Sequence, residues 1–125
     1  MLGEAKLVGF LGTTQPEVCR AFYENALGLK FVVEEPSTLV FETGGVMLRI
    51  GKVGEFTPLP FTVLGWEVDD LEAAITGLGE RGVSTVHFEG VEQNDLGIAS
   101  FGETTKVAWL KDPDGNILSV AQHSG

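Results

Sequence analysis

The chain has 125 residues, 43% of them hydrophobic, a length and composition suited to one domain around one core. Its 18 acidic side chains against 8 basic ones leave a formal charge of −10, the wrong sign for a phosphate backbone, so nucleic acid is excluded as a partner. No apolar run approaches the ~20 residues a bilayer needs, which excludes a helical membrane span.

The opening "MLGEAKLVGF" has an early acid and no long apolar stretch, so no signal peptide is expected there. The single cysteine, Cys19, has no partner for an internal disulfide, and a cytoplasmic protein is expected. "AKLVGFLG" reads as a strand. The helix that follows begins in "TTQPEVCRAFYENALGL": Thr14 reads as the N-cap, Glu17 completes a capping box, and Pro16 fits the first turn. Val18, Phe22 and Ala26, with Cys19 beside them, form the expected apolar stripe, and Gly28 the stop. Three strands follow, "LKFVVEE", "TLVFE" and "VMLRIG", the last two joined at Gly44-Gly45.

The second half repeats the plan. "FTVLGWEV" reads as a strand, and Asp69 with Glu72 as a second capping box. Leu71, Ala74, Ile75 and Leu78 line one helical face, and Gly82 ends the helix. "VSTVHF", "KVAWLKD" and "ILSVAQ" are the expected closing strands, the last two joined by the "PDGN" turn. The offset from Gly28 to Gly82 equals that from Phe10 to Leu64, as an internal repeat requires. Two βαβββ modules, about 5–52 and 61–123, are expected within a single α+β domain spanning 1–125. The second carries an added Gly- and acid-rich segment, "EGVEQNDLGIASFGETT".

"AFYENALGLKF", "LGWEVDDLEAA" and "WLKDPDGNILSV", in this order and spacing, resemble the vicinal oxygen chelate superfamily of glyoxalase I, bleomycin resistance proteins and extradiol dioxygenases. The resemblance covers nearly the whole chain. It implies a cupped mixed β-sheet with helices outside, and commonly a homodimer. Enzymes of that family hold a divalent metal with His or Glu side chains from the first and fourth strand of each module. The matching positions here are Val8, Arg49, Val63 and Ser119. Two aliphatic groups, a permanent cation and a lone hydroxyl are not a donor set for Mg, Mn, Fe, Ni or Zn. No metal and no cofactor is therefore expected.

Strand alternation puts Val8, Phe10 and Gly12, Met47 and Arg49, Val63, Gly65 and Glu67, and Ile117, Ser119 and Ala121 on the faces that would line the cup. Such a pocket is apolar with Arg49, Glu67 and Ser119 as its polar points. Arg49 and Glu67 either pair with each other or are free to clamp an anion and an amine respectively. Trp66 reads as core. Trp109 reads either as core or as a stacking wall, and Phe22 and Tyr23 as packing. Phe101 and Ile98, in the 88–104 loop, are placed to cover a ligand as a lid hinged on glycines. Little weight falls on His123, in a tail expected to fray, or on His87 with Glu89, Glu92 and Asp95, whose spacing matches no ligand motif. Cys19 reads as a buried, inert thiol.

The ligand-binding set expected from sequence is thus Arg49, Glu67, Ser119, Phe10, Trp109 and Phe101. A metal-free small-molecule binding, sequestering protein is the leading reading. A metal-dependent lyase or dioxygenase is weakened by Val8 and Val63, and a metal-free enzyme would use Glu67 as its acid or base.

Overall fold

The computed structural model describes residues 1–123; the last two residues of the expected 1–125 domain lie outside the described residues. The chain divides into two compact units, Met1–Pro58 and Leu59–Gly125.

The first unit opens with a 3-10 turn at Leu2–Glu4 and then runs β1 (Val8–Thr13), α1 (Pro16–Ala21), a π-helical turn (Phe22–Ala26), β2 (Lys30–Glu34), β3 (Thr38–Thr43) and β4 (Val46–Lys52). Its sheet order is β1-β4-β3-β2, with β1 parallel to β4 and the others antiparallel. Leu48 and Ile50 alternate with Met47 and Arg49 along β4; the first two are buried and the second two are open or partly open. Cys19 and Tyr23, one helical turn apart, are fully buried, and the Tyr23 ring lies 5.8 Å from that of Phe41. The buried helical stripe is therefore Cys19–Tyr23. The expected stripe through Val18 is corrected, since Val18 is 51% exposed. Gln15, not Thr14, stands at the N-cap, and Thr13 Oγ1 accepts from the Gln15 N–H, drawing the cap one residue downstream. The widened turn closes through Leu27 N–H to Phe22 O at 2.9 Å, and Gly28 leaves it at φ 78°.

The second unit runs β5 (Thr62–Glu67), α2 (Leu71–Glu80), β6 (Ala99–Phe101), β7 (Thr105–Lys111) and β8 (Ile117–His123), with sheet order β5-β8-β7-β6. Asp70, one residue beyond the expected Asp69, caps α2, its Oδ1 accepting from Ala73 N–H at 3.1 Å. The Gln122 side chain adds a second acceptor, Oε1, for Leu71 N–H at 2.8 Å. Leu71 and Ile75 bury against a face that includes Ala108, Leu110, Leu118 and Val120. Burying a leucine of this kind contributes roughly 2 kcal/mol.

One expected strand is corrected. "VSTVHF", 83–88, is not a strand, and the sixth strand is the short Ala99–Phe101 inside the Gly-rich segment. Residues 83–98 instead meet many of their hydrogen bonds through side chains, beside local backbone bonds such as Asn94 N–H to Ile98 O and Gly97 N–H to Asn94 O. Gln93 Nε2 donates to Val86 O and Gly97 O, and its Oε1 accepts from Phe88 N–H. Asn94 Oδ1 accepts from Leu96 N–H and Ile98 N–H, and the Thr85 hydroxyl donates to Leu96 O. Val86 N–H reaches the sheet, at Trp109 O. Amide side chains thus compete with a strand ladder and win.

Candidate functional site

In the first unit, Phe10 lies opposite Arg49 and Val8 opposite Met47 in the β1–β4 register, so these four share one sheet face. Phe10 is 71% exposed and Met47 42% exposed. Arg49 is bonded to Glu35 through Nη2 and lies near Met47 Sδ, at 3.8 Å from Nη1. On the helix side, Lys52 Nζ donates to Glu34 Oε2 at 2.6 Å and to Glu35 O at 3.1 Å. The hydrogen bond and charge of Lys52 hold the Glu34 carboxyl below the usual glutamate range. Any stability from that exposed pair is present above the ordinary glutamate range and lost as the pH falls through the lowered value.

In the second unit, Gly65 pairs with Ser119, and Ser119 with Trp109, in one row across β5, β8 and β7. Glu67, Ala121 and Val107 form the next row. Alternation leaves these residues on the face opposite α2. Ser119 answers for its small size through Gly65: a Cβ built on Gly65 would stand 2.5 Å from Ser119 Oγ. The hydroxyl lies across the bare glycine backbone.

The Trp109 ring meets Phe88 edge-on at 5.5 Å and Phe101 at 6.4 Å. Beside it, Pro60, Phe61, Thr62, Phe88, Trp109 and Ile117 line an open depression of about 290 Å³. Phe61 and Phe101 are 57% and 53% exposed. Two rows along, His123 Nδ1 lies 2.7 Å from Glu67 Oε1. Arg49 takes Glu35 and Glu67 takes His123, so the alternative in which the two pair with each other is corrected. His123 is no frayed tail, because it is the last residue of β8, opposite Thr105.

The expected lid is corrected in part. Ile98 is 5% exposed and packs inside its unit, and the segment around it is tied by the Gln93 and Asn94 bonds. Phe101 lies on β6, opposite Thr105, on the Trp109 face. His87 Nε2 lies 3.2 Å from Asn94 O. Trp66 pairs with Val120, which is buried on the α2 side, in keeping with a core role. Sequence reasoning passed over Phe61 and Phe88 as strand residues. It undervalued His123 too, although Ser119, Ala121 and His123 alternate and must share a face.

A metal of the kind the resemblance implies does not fit these residues. Val8 and Val63 offer no lone pair, Arg49 is a cation already bonded to Glu35, and Ser119 offers one hydroxyl. Among the described residues, no three His, Cys, Asp or Glu side chains are grouped so as to hold a metal ion. Nor, among them, is any helix long and apolar enough to cross a membrane.

Residues 8–120 match the family model of the Glyoxalase/Bleomycin resistance protein/Dioxygenase superfamily. No curated protein matches the chain in sequence. Among solved structures, a glyoxalase/bleomycin resistance protein/dioxygenase from Alicyclobacillus acidocaldarius is 18% identical, with a TM-score of 0.74 over 96% of this chain and 92% of that one. A lactoylglutathione lyase from Agrobacterium tumefaciens is 16% identical, with a TM-score of 0.72 over 95% and 93%. TnmS3, an antibiotic binding protein from Streptomyces sp. CB03234, is 21% identical, with a TM-score of 0.73 over 99% of each chain. At such identities the likeness is one of fold.

Proposed function

Because the chain belongs to the glyoxalase/bleomycin resistance protein/dioxygenase superfamily, we propose that it binds a small organic molecule without a metal and sequesters it unchanged. The observation that carries this reading is the depression beside Trp109, walled by Phe61 and Phe88 and free of charged lining residues. Aromatic walls with few polar points are a usual recipe for a small-molecule seat. The fold shared with an antibiotic binding protein supports it. Trp109, Phe101, Ser119 and Glu67 are the proposed contacts on the second unit. Phe10 and Arg49 are candidate contacts on the open face of the first.

A thermal-shift screen of uncharged, cationic and anionic aromatic compounds tests the proposal. Compounds that raise the melting temperature are expected to bind Trp109→Ala at least about tenfold more weakly, the loss of one large aromatic contact. A screen without stabilising compounds, or stabilisation by carboxylates alone that vanishes in Arg49→Ala, overturns it.

We further propose a cytoplasmic homodimer, the location on the strength of the single cysteine and the pairing on that of the family resemblance. Light scattering at micromolar concentration is expected to read twice the 13.4 kDa of one chain. A mass of one chain overturns the dimer.

A further inference from the structure

The exposed face of the second unit is polar at one end and aromatic at the other, with almost nothing between. Trp109, flanked by Phe88 and Phe101, stands on β7. Glu67, bonded to His123, stands at the end of β5. On the diagonal between them lie Ser119, Gly65 and Ala121, the smallest side chains of that face. Two strand spacings across and two residues along place the Trp109 and Glu67 Cα atoms roughly 12 Å apart. With both side chains rising from one face, that span fits an aromatic group with a short tether.

The polar end carries the Glu67 carboxylate, whose Oε1 accepts from His123 Nδ1–H. The Glu67 side chain is 67% exposed and open to a second partner. Lys111 lies on the same face beyond Trp109, opposite Ile117, so the field along the trough runs from a cation at the aromatic end to an anion at Glu67. A cationic group therefore gains by pointing towards Glu67. The net charge of −10 adds a long-range attraction of the same sign.

We propose that this face takes an aromatic ring carrying a protonated amine on a tether of a few bonds, the ring against Trp109 and the amine on Glu67. This rests on the binding reading above and names its ligand class.

Three probes of one shape test it: 3-(1-naphthyl)propylamine, 3-(1-naphthyl)propan-1-ol and 3-(1-naphthyl)propionate. Binding is read from the indole N–H signal of Trp109, assigned with Trp109→Phe. The amine is expected to bind about three- to fivefold more tightly than the alcohol, the range of a half-solvated ion pair, and the propionate most weakly. Glu67→Gln, at an exposed position that leaves the core intact, is expected to abolish the advantage of the amine over the alcohol measured in that same variant. If alcohol and amine bind alike in the wild type, or if the amine keeps its advantage in Glu67→Gln, the amine site is wrong and the aromatic seat stands. If none of the three moves the Trp109 signal, the seat itself is overturned and the amine site falls with it.

Discussion

Gly97→Ala is expected to cost about 3–4 kcal/mol of stability, read as a fall in the denaturant midpoint with an unchanged slope. Gly97 is buried at φ 86°, a region where a Cβ costs energy wherever it points. Here it would also meet Thr85, with the Thr85 Cβ only 2.7 Å away. Thr85 has little freedom to retreat, because its hydroxyl is bonded to Leu96 O. The backbone of Gly97 is equally held, its carbonyl accepting from Gln93 Nε2 and its N–H donating to Asn94 O. Trimming Thr85 to alanine in the same chain should remove only the contact with Thr85 Oγ1 and leave both the Cβ contact and the backbone strain, so the recovery is partial. A Gly97→Ala protein as stable as the wild type would mean that residues 83–98 are far looser than this bonding describes.

Gly65→Ala is expected to cost about 2 kcal/mol, and the loss should largely vanish in Gly65→Ala/Ser119→Ala. The new methyl would press on Ser119 Oγ at 2.5 Å, whereas Ser119 Cβ, at 3.8 Å, is in ordinary contact. The conflict is thus with the hydroxyl alone. Strand alanine is otherwise no worse than strand glycine, so the double variant should approach Ser119→Ala by itself. A four-point denaturation cycle measures the coupling. Additive losses would show that the two positions do not touch.

The sequence carried most of the local architecture because its signals were periodic. The β4 and β8 starts, the Gly28 and Gly82 helix ends and the Leu71–Ile75 face all follow from spacing and from residues with one physical use. Caps shifted by one residue where two adjacent oxygens competed, at Thr13 and Thr14 and again at Asp69 and Asp70. "VSTVHF" misled because β-branched residues describe a preference for extended backbone, while strand pairing depends on what lies alongside. Gln93 and Asn94, outside that stretch, supplied the partners instead.

Of the candidate site, the donor types at Val8, Arg49, Val63 and Ser119 were fixed by identity alone, since no fold can give valine a lone pair. So were the small residues at Gly65, Ser119 and Ala121 and their shared face, which follow from a period of two. Which side chains pair was decided only in three dimensions: Arg49 with Glu35, and Glu67 with His123, are separated in sequence and brought together by folding. The same holds for the aromatic wall, where Phe88 and Phe101 reach Trp109 from two sides of one long loop. Alternation states which way a side chain points; only packing brings distant side chains to one another, because contact depends on the whole chain being in place at once.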